Sequence, residues 1–315
     1  MNANKIRNVT CLGCGTIGAS WALNFAMRGL NVTVYDISDE AFDRAKTLIE
    51  ESLHTMQQWG ALDEEHCRQI LSKVTYTKDI EAALKNADYI QESVPDRLEL
   101  KHEMVEAIEK YAPVTALVGS STSRQFISDI CANAVHKERY VGAHPYNPPH
   151  LVPLVELSKS PDVSDEAINR AYDFFKSIKK EPIRLHKEVH GFVCNRVQSV
   201  VGRELADLVG RGVVSAEDAQ KAVTFGPAFR WAIMGHHLIL DLGNPNGLAG
   251  MKPASGINIL EEVATWTKNP YPSFIADLPE IRKNVLPEGA GQTRESAIQW
   301  RDQMLLTLLS AHGLL

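Results

Sequence analysis

The chain has 315 residues and a formal net charge of −6, and its 44% hydrophobic and 23% charged residues are typical of an ordinary globular protein. This length favours two domains. The acidic balance argues against a nucleic-acid partner, which would need a clustered basic excess. No apolar run reaches the roughly 18 residues of a membrane span. The amino terminus lacks the apolar core of a signal peptide, so we expect a cytoplasmic protein.

The cysteines do not indicate a disulfide framework, because there are five of them in a large chain. Cys11 and Cys14 form a C-x-x-C pair. A zinc site would need a second cysteine or histidine pair downstream, and the sequence offers none at a suitable spacing. We therefore expect packing and loop roles for both residues, and no metal site.

The first strong motif is a glycine-rich turn between a short β-favouring run, NVTCL, and a segment with helical period. Gly13, Gly15 and Gly18 have G-x-G-x-x-G spacing, and Thr16 and Ile17 complete the turn. These glycines allow a tight turn, a close approach of the backbone to pyrophosphate and close helix packing. The helix start presents free N–H groups to phosphate. The motif predicts a dinucleotide-binding loop, whereas a glycine turn without a ligand would not need this context.

Asp36 ends the second predicted strand, NVTVYD, at about the distance from Gly18 at which an acid binds the adenine ribose hydroxyls. A carboxylate there would repel the 2′-phosphate of NADP, and the first arginine after it is Arg44. The sequence therefore favours NAD(H) over NADP(H) as the cofactor.

Strands and helices alternate through about residue 186. Further strands are predicted in ADYIQESV, TALVGSS, ERYVGAH, LVPLVEL and EPIRL. Helices are predicted in DEAFDRAKTLIEESLHTMQQWG, LELKHEMVEAIEKY and SDEAINRAYDFFKSI, the last with Ser164 as its N-cap. This rhythm predicts an α/β fold, with a Rossmann-type doubly wound and largely parallel sheet, over residues 1–187.

The remainder, residues 188–315, has few strand signals and predicts an all-α domain. Its predicted helices are RVQSVVGRELADLVGRG, SAEDAQKAVTFG, NILEEVATWTK and ESAIQWRDQMLLTLLSAHG, the second of them capped by Ser215. The Pro- and Gly-rich stretches LGNPNGLAGMKPASG and KNPYPSFIADLPEIRKNVLPEGAG predict long ordered loops near the substrate or a partner subunit. Leucines 305, 306, 308 and 309 make the last helix apolar, which is consistent with burial against a second subunit.

His144 follows the predicted strand ERYVGA, so it falls near a carboxyl edge of the sheet, where ligands of open α/β sheets bind. Glu156 ends the next apolar run, and the prolines between them can turn the chain back. A carboxylate on one ring nitrogen fixes the histidine tautomer and raises the basicity of the other nitrogen. Spacing alone leaves two readings open, a packed structural histidine and the base of an alcohol oxidation.

Several motifs together resemble the 3-hydroxyacyl-CoA dehydrogenase family: the cofactor loop, QESVPDRLELK, GSSTS, AHPYNP with LVEL, and GFVCNR, in the same order over nearly the whole chain. In that family a Ser, a His, a Glu and an Asn form the catalytic set. The matching positions are Ser123, His144, Glu156 and Asn195. The resemblance implies that His144 is the base and Glu156 its orienting partner. Ser123 and Asn195 would donate hydrogen bonds to the substrate oxygen and neighbouring groups.

The same resemblance adds three supporting residues and an assembly. Asn147 is a supporting candidate for the substrate site, and DRLELK carries Asp96 and Lys101 to the nicotinamide-ribose side of the cofactor site. The family also implies a homodimer built through the helical domain.

Within the family, the chain is more similar to the branch of L-gulonate 3-dehydrogenase (the lambda-crystallin relatives) and L-carnitine dehydrogenase. IQESVPDRLELK and AHPYNP resemble the carnitine type, KEVHGFVCNRVQ and GVVSAED the gulonate type, and GPAFRWAIMG both. Two positions depart from the patterns. The carnitine type does not keep the asparagine found here at 195. Arg124 stands where both types tend to have a small or apolar residue.

Arg124 is either a solvated surface charge or a bidentate clamp for a substrate carboxylate, and Arg230 is a second clamp candidate. Trp231, Phe229 and Tyr146 are either core aromatics or the walls of a cage for a trimethylammonium group. Carnitine would need both a cage and a clamp, whereas a sugar acid would need polar partners for its extra hydroxyls.

These observations predict an NAD-dependent dehydrogenase that oxidises the 3-hydroxyl of a small L-3-hydroxy acid to the 3-keto acid. One alternative is a 3-hydroxyacyl-CoA dehydrogenase that acts on CoA thioesters. The other is a structural or NAD-binding protein without catalysis, as lens crystallins of this family are, although a structural role would not require all four catalytic residue types.

Overall fold

The computed structural model describes residues 6–232, residue 236 and residues 293–311. The chain divides into two compact units. The first comprises Met1–Val193 and Asp302–Leu315, and the second Cys194–Arg301. Within the described residues, no helix combines the length and apolar character needed to cross a membrane.

The first unit is built on one eight-stranded sheet in the order β3-β2-β1-β4-β5-β6-β7-β8. The strands are β1 (Asn8–Leu12), β2 (Asn31–Tyr35), β3 (Val74–Thr77), β4 (Tyr89–Glu92), β5 (Leu117–Ser120), β6 (Tyr140–Pro145), β7 (Leu154–Ser158) and β8 (Glu181–Leu185). All neighbours pair in parallel except β6 and β7, which are antiparallel. The prediction of a doubly wound, largely parallel sheet is confirmed, and β3 is a strand that the sequence pattern did not predict.

The predicted helices that fall within the described residues are present, and four short helices, at residues 64–71, 80–84, 127–130 and 229–231, were not predicted. The helices are α1 (Thr16–Met27), α2 (Asp39–Gln58), α3 (Glu64–Leu71), α4 (Ile80–Leu84), α5 (Leu98–Tyr111), α6 (Ile127–Ile130), α7 (Asp165–Ser177), α8 (Cys194–Gly210), α9 (Ala216–Val223), α10 (Phe229–Trp231) and α11 (Arg294–Ala311). Ser164 and Ser215 cap α7 and α9 as predicted, since each side chain accepts a backbone N–H three residues later. The predicted helix at 258–268 and the two Pro- and Gly-rich stretches, 242–256 and 268–291, lie outside the described residues.

Strand order reverses between β1 and β4, because the chain leaves β1 towards β2 and β3 and then returns to the other side of β1. The strands β1, β4, β5 and β6 are parallel, so their carboxyl ends share one edge of the sheet, which we call the carboxyl edge. Ligands of open α/β sheets bind at such a switch point.

Aromatic packing fixes helix α1 on the sheet. Trp21 and Phe25 of α1 are stacked with ring centroids 5.1 Å apart, and Phe25 also contacts Tyr89 of β4 and Phe174 of α7 at 5.9 Å each. Gly119 of β5 leaves room for this cluster, because an added Cβ would lie 2.1 Å from the Tyr89 hydroxyl. Burial of these rings holds the start of α1 at the carboxyl edge.

The carboxyl-terminal helix α11 is packed within the same chain along part of its apolar side. Leu306 and Leu309 are buried together with Met56 of α2 and Leu151. Leu308, in contrast, keeps 42% of its surface exposed. The apolar character of the helix therefore reflects intrachain burial at these two positions.

Candidate active site

The glycine-rich turn adopts the tight conformation that its sequence predicts. Gly13 has a φ of +85°, a backbone region that L side chains rarely adopt. Its N–H donates to the carbonyl of Tyr35 at 2.8 Å, which ties the turn to β2. A Cβ at Gly18 would lie 1.9 Å from the carbonyl oxygen of Gly13, so only glycine lets α1 approach the turn this closely.

A cavity of about 720 Å³ opens in front of this turn. Its lining includes Gly13, Gly15, Thr16, Ile17, Asp36, Arg44, Asp96 and Ser123. Helix α1 begins here with Gly15 as an N-cap that forms no side-chain hydrogen bond, and its first turn contains no acid. Free N–H groups at a helix start suit the pyrophosphate of a dinucleotide, so the cavity fits NAD on this observation.

Asp36 faces the same cavity and is held against the turn. Its Oδ2 accepts the N–H of Cys14 at 2.9 Å, and its Oδ1 accepts the N–H of Ile37 at 2.8 Å. The carboxylate is therefore fixed in the cavity wall, beside the glycine-rich turn. Arg44 lines the cavity as well, although eight positions separate it from Asp36 in the chain.

His144 and Glu156 form a buried pair at the carboxyl edge. They are direct partners in the antiparallel register of β6 and β7, and His144 Nδ1 lies 2.8 Å from Glu156 Oε2. Glu156 is 0% exposed, and its Oε1 accepts the N–H of Val193 at 2.8 Å. Since a carboxylate only accepts, His144 Nδ1 carries a proton, and in the neutral imidazole this leaves Nε2 as the acceptor.

The segment after β8 covers this pair. The Phe192 ring is stacked on the His144 ring, with centroids 4.7 Å apart and an interplanar angle of 21°. Phe192 has a φ of +50°, which is uncommon for a residue other than glycine. Such a backbone conformation is retained only where the surroundings impose it. Here it lets the Phe192 ring stack on the His144 ring and the Val193 N–H donate to Glu156.

Lys101 is buried in a carboxylate cluster, where only 1% of its surface is exposed. Its Nζ lies 3.0 and 2.9 Å from the two carboxylate oxygens of Glu92 and 3.2 Å from Asp96 Oδ1. Glu92 also accepts from the Ser120 hydroxyl and, at 2.7 Å, from the N–H of Val94. The Lys101 ammonium is thus fully engaged by the protein. The buried carboxylate of Glu92 was not predicted from the sequence.

Asp96 connects this cluster to Ser123, whose N–H and hydroxyl both donate to Asp96 Oδ2 at 3.2 Å. Burial alone would raise the pKa of Asp96. The Lys101 ammonium and hydrogen bonds from Thr122 and Ser123 outweigh it, so the pKa lies below its ordinary value. Asp96 therefore stays an acceptor that orients the Ser123 hydroxyl. Arg124, the next residue, is exposed.

The connection between β6 and β7 carries Asn147, which is exposed. The turn is closed by two N–H groups, those of Leu151 and Val152, which donate to the carbonyl of Pro148 at 3.0 and 2.9 Å. Asn147 thus lies three residues after His144, at the start of a hydrogen-bonded turn.

The remaining predicted site residues belong to the second unit. Asn195 is the second residue of α8 and is half-buried. Arg230 and Trp231 lie in α10, where Arg230 is exposed and the Trp231 indole N–H donates to His236 Nδ1 at 3.1 Å. The structure thus brings His144 together with Glu156, and Ser123 with Asp96 and Lys101, in the first unit.

Cys11 and Cys14 are both buried and free thiols. Burial raises the pKa of Cys14 to about 12, helped by Asp36, and burial raises the pKa of Cys11 as well. In the described part of the chain, no group of three or more His, Cys, Asp or Glu side chains has a metal-binding arrangement.

Two family models match the chain. The model described as 3-hydroxyacyl-CoA dehydrogenase, NAD binding domain, matches residues 8–189, and the model of the C-terminal domain of the same family matches residues 191–281. A protein of Gibberella moniliformis named 3-hydroxyacyl-CoA dehydrogenase is 36% identical, over 98% of this chain and 95% of its own length. An L-carnitine dehydrogenase of Oceanobacillus iheyensis is 35% identical, over 87% of this chain and 88% of its own.

Solved structures agree with these matches. The crystal structure of 5-formyl-3-hydroxy-2-methylpyridine 4-carboxylic acid 5-dehydrogenase, described as an NAD⁺-dependent dismutase, superposes with a TM-score of 0.76. It is 27% identical, and the match covers 98% of each chain.

Proposed function

This chain belongs to the 3-hydroxyacyl-CoA dehydrogenase family and is an NAD-dependent oxidoreductase, and on that premise we propose that it oxidises the 3-hydroxyl of a small L-3-hydroxy acid to the 3-keto acid. The substrate we propose is gulonate- or carnitine-like. The observation that carries the proposal is the buried His144–Glu156 pair, with 2.8 Å between Nδ1 and Oε2, at the carboxyl edge.

In this mechanism His144 is the general base. Glu156 keeps the proton on Nδ1, so Nε2 faces the substrate hydroxyl with a free lone pair and takes its proton. NAD, when bound, supplies the acceptor for the hydride that leaves the same carbon, so that the C–O single bond becomes a carbonyl. Phe192 covers one face of the imidazole and helps to keep water from it.

Ser123 and Asn195 are proposed to donate hydrogen bonds to the substrate oxygen as it becomes a carbonyl, with Asn147 in support. The Ser123 hydroxyl donates to Asp96 in the structure, so donation to a substrate oxygen would replace this hydrogen bond. Asp96 and Lys101 are proposed to act on the nicotinamide-ribose side of the cofactor site. Because Lys101 is enclosed by Glu92 and Asp96, its influence on a ribose passes through Asp96.

For the acid end of the substrate we propose a carboxylate clamp made of Arg124, which follows Ser123 and is exposed, with Arg230 as the second candidate. The relative named L-carnitine dehydrogenase supports a carnitine-like substrate. In that case Trp231 and Phe229 of α10 would receive the trimethylammonium group. The relative named 3-hydroxyacyl-CoA dehydrogenase supports CoA thioesters as the second candidate substrate class.

We also propose that residues from 188 onwards serve substrate binding and dimerisation. A homodimer is expected from the family, and Leu308, which is 42% exposed on α11, is available to such an interface. Light scattering that gives the mass of a monomer would contradict this part of the proposal.

The test is a set of initial rates of NAD reduction with L-carnitine, L-gulonate, L-3-hydroxybutyrate and 3-hydroxybutyryl-CoA side by side. We expect turnover of a free 3-hydroxy acid, with a raised KM in Arg124→Met. The matched control is Arg68→Met, since Arg68 is an exposed arginine that pairs with Glu65 on α3. Turnover of the thioester alone would replace the proposed substrate class. No turnover with any of the four, while NADH still binds, would refute the activity.

A further inference from the structure

Lys180, just before β8, is a buried lysine that the proposed mechanism does not use. It is 2% exposed, and its Nζ donates to two backbone carbonyls, that of Pro149 and, at 2.8 Å, that of Val152. The ammonium also lies 5.0 Å from the centre of the Trp21 ring of α1. A buried charge costs free energy unless it is hydrogen-bonded, and these two carbonyls supply acceptors for the ammonium.

Both carbonyls belong to the β6–β7 connection, residues 146–153. This connection joins the strand of His144 to the strand of Glu156 and begins with the segment that carries Asn147. A second anchor holds it to α1, because the N–H of His150 donates to the Ser20 hydroxyl at 3.0 Å. Lys180 and Ser20 therefore fasten the connection to the helix that starts at the cofactor cavity.

We infer that Lys180 is a positioning residue of the dehydrogenase site: by holding the β6–β7 connection it sets the geometry with which His144 and Glu156 meet the substrate. The inference rests on the proposed function for its catalytic part. The position of the connection affects the rate because a misplacement of about 1 Å at a reacting group can lower a rate by roughly a hundredfold.

The surroundings of Lys180 make this hold sensitive to pH. Burial lowers the pKa of Lys180 to about 7, and the charge of Arg28 adds to the effect. No carboxylate is among the described residues that line the small cavity around it. The lining is Asn24, Met27, Arg28, Met56, His150, Leu151, Pro153, Lys179, Lys180 and Leu309, so the ionisable neighbours are basic. A charged donor makes the stronger hydrogen bonds, so loss of the proton above pH 7 loosens the connection.

The experiment compares the wild type with Lys180→Met and with Leu309→Ala, measuring kcat and KM from pH 6 to 9. Leu309 lines the same cavity and makes no hydrogen bond to the connection, so its variant reports lost packing alone. We expect Lys180→Met to lose about ten- to a hundredfold in kcat, with a smaller change in the KM of NAD. Its kcat profile should contain one ionisation fewer than that of the wild type.

Two results would overturn the inference: an unchanged kcat profile in Lys180→Met, or an equal loss of kcat in Leu309→Ala at matched thermal stability. If the wild type oxidises none of the acids, the proposed function fails. The structural part of the inference, that Lys180 holds the β6–β7 connection, is then tested separately by hydrogen exchange of the Leu151 and Val152 amides. Faster exchange in Lys180→Met but not in Leu309→Ala supports it, and equal exchange in both variants overturns it.

Discussion

Replacement of Glu156 by glutamine removes one charge from the proposed catalytic pair and changes its volume very little. Among the contacts of Glu156 are hydrogen bonds at 2.8 Å from His144 Nδ1 and from the N–H of Val193. A glutamine has one acceptor oxygen and one NH₂ group in their place. It can satisfy one partner only, and its NH₂ group then faces the other donor.

Either arrangement is costly. If the amide nitrogen faces Val193, a buried N–H loses its acceptor, which costs about 1–3 kcal/mol of folding free energy. If it faces His144, the ring must place its proton on Nε2, where it can no longer accept from the substrate. Because general base catalysis contributes about 10²- to 10⁴-fold, we expect a fall in kcat of that order. The KM of NAD should change little.

The assay is steady-state oxidation of the preferred hydroxy acid, with NADH binding followed by fluorescence. Glu109→Gln is the matched control. Glu109 is half-buried and also accepts from two partners, Arg139 and Tyr140, but it does not line the cofactor cavity. It should lose stability and keep its kcat. A Glu156→Gln enzyme within about threefold of the wild-type kcat would refute the reasoning, since a general base is expected to contribute at least a hundredfold.

Three further outcomes are expected. Gly119→Ala should destabilise the protein by about 1–3 kcal/mol in urea unfolding, since the new Cβ would lie 2.1 Å from the Tyr89 hydroxyl; a stability equal to that of the wild type would contradict the packing. Asp36→Ser should raise the KM of NAD and permit NADP turnover, because Arg44 in the same cavity wall can then meet a 2′-phosphate; continued rejection of NADP would count against this geometry. Lys180 has a folded-state pKa of about 7 against 10.5 for an ordinary lysine, so between these values the unfolded chain binds more protons. The difference in unfolding free energy between the wild type and Lys180→Met should therefore increase with pH from pH 7 to 10, by at most about 1.4 kcal/mol per pH unit. If this difference does not change with pH, the pKa of Lys180 is ordinary.

The sequence predicted the glycine-rich turn and the β-α-β unit around it because their signals are local. The turn from Gly13 to Gly18 and the acid at Asp36 belong to one β-α-β unit, whose spacing is dictated by the dinucleotide. The prediction that His144 pairs with Glu156 required the chain to turn back at the prolines between them. The antiparallel register that places them opposite each other was visible only in the structure.

Other features had no local signal. The strand Val74–Thr77 is short and mostly half-exposed, so it lacks the apolar run that marked the other strands. Glu92 meets Lys101 because α5 docks against the end of β4, and nothing in QES indicates a buried carboxylate. Lys180 lies in the polar run KKE, which is typical of a surface turn, and its burial depends on Trp21 and the β6–β7 connection. The burial and the partners of such residues are determined by contacts between segments that are distant in the sequence.

The central claim is that His144 is the base of an NAD-dependent oxidation of a 3-hydroxy acid. Its most direct test is the kcat of His144→Gln on the preferred acid, measured at NAD saturation and with the NADH dissociation constant determined in parallel. We predict a fall in kcat of at least about 10²-fold with an NADH affinity close to that of the wild type. A His144→Gln enzyme that retains the wild-type kcat and its pH dependence would contradict the account.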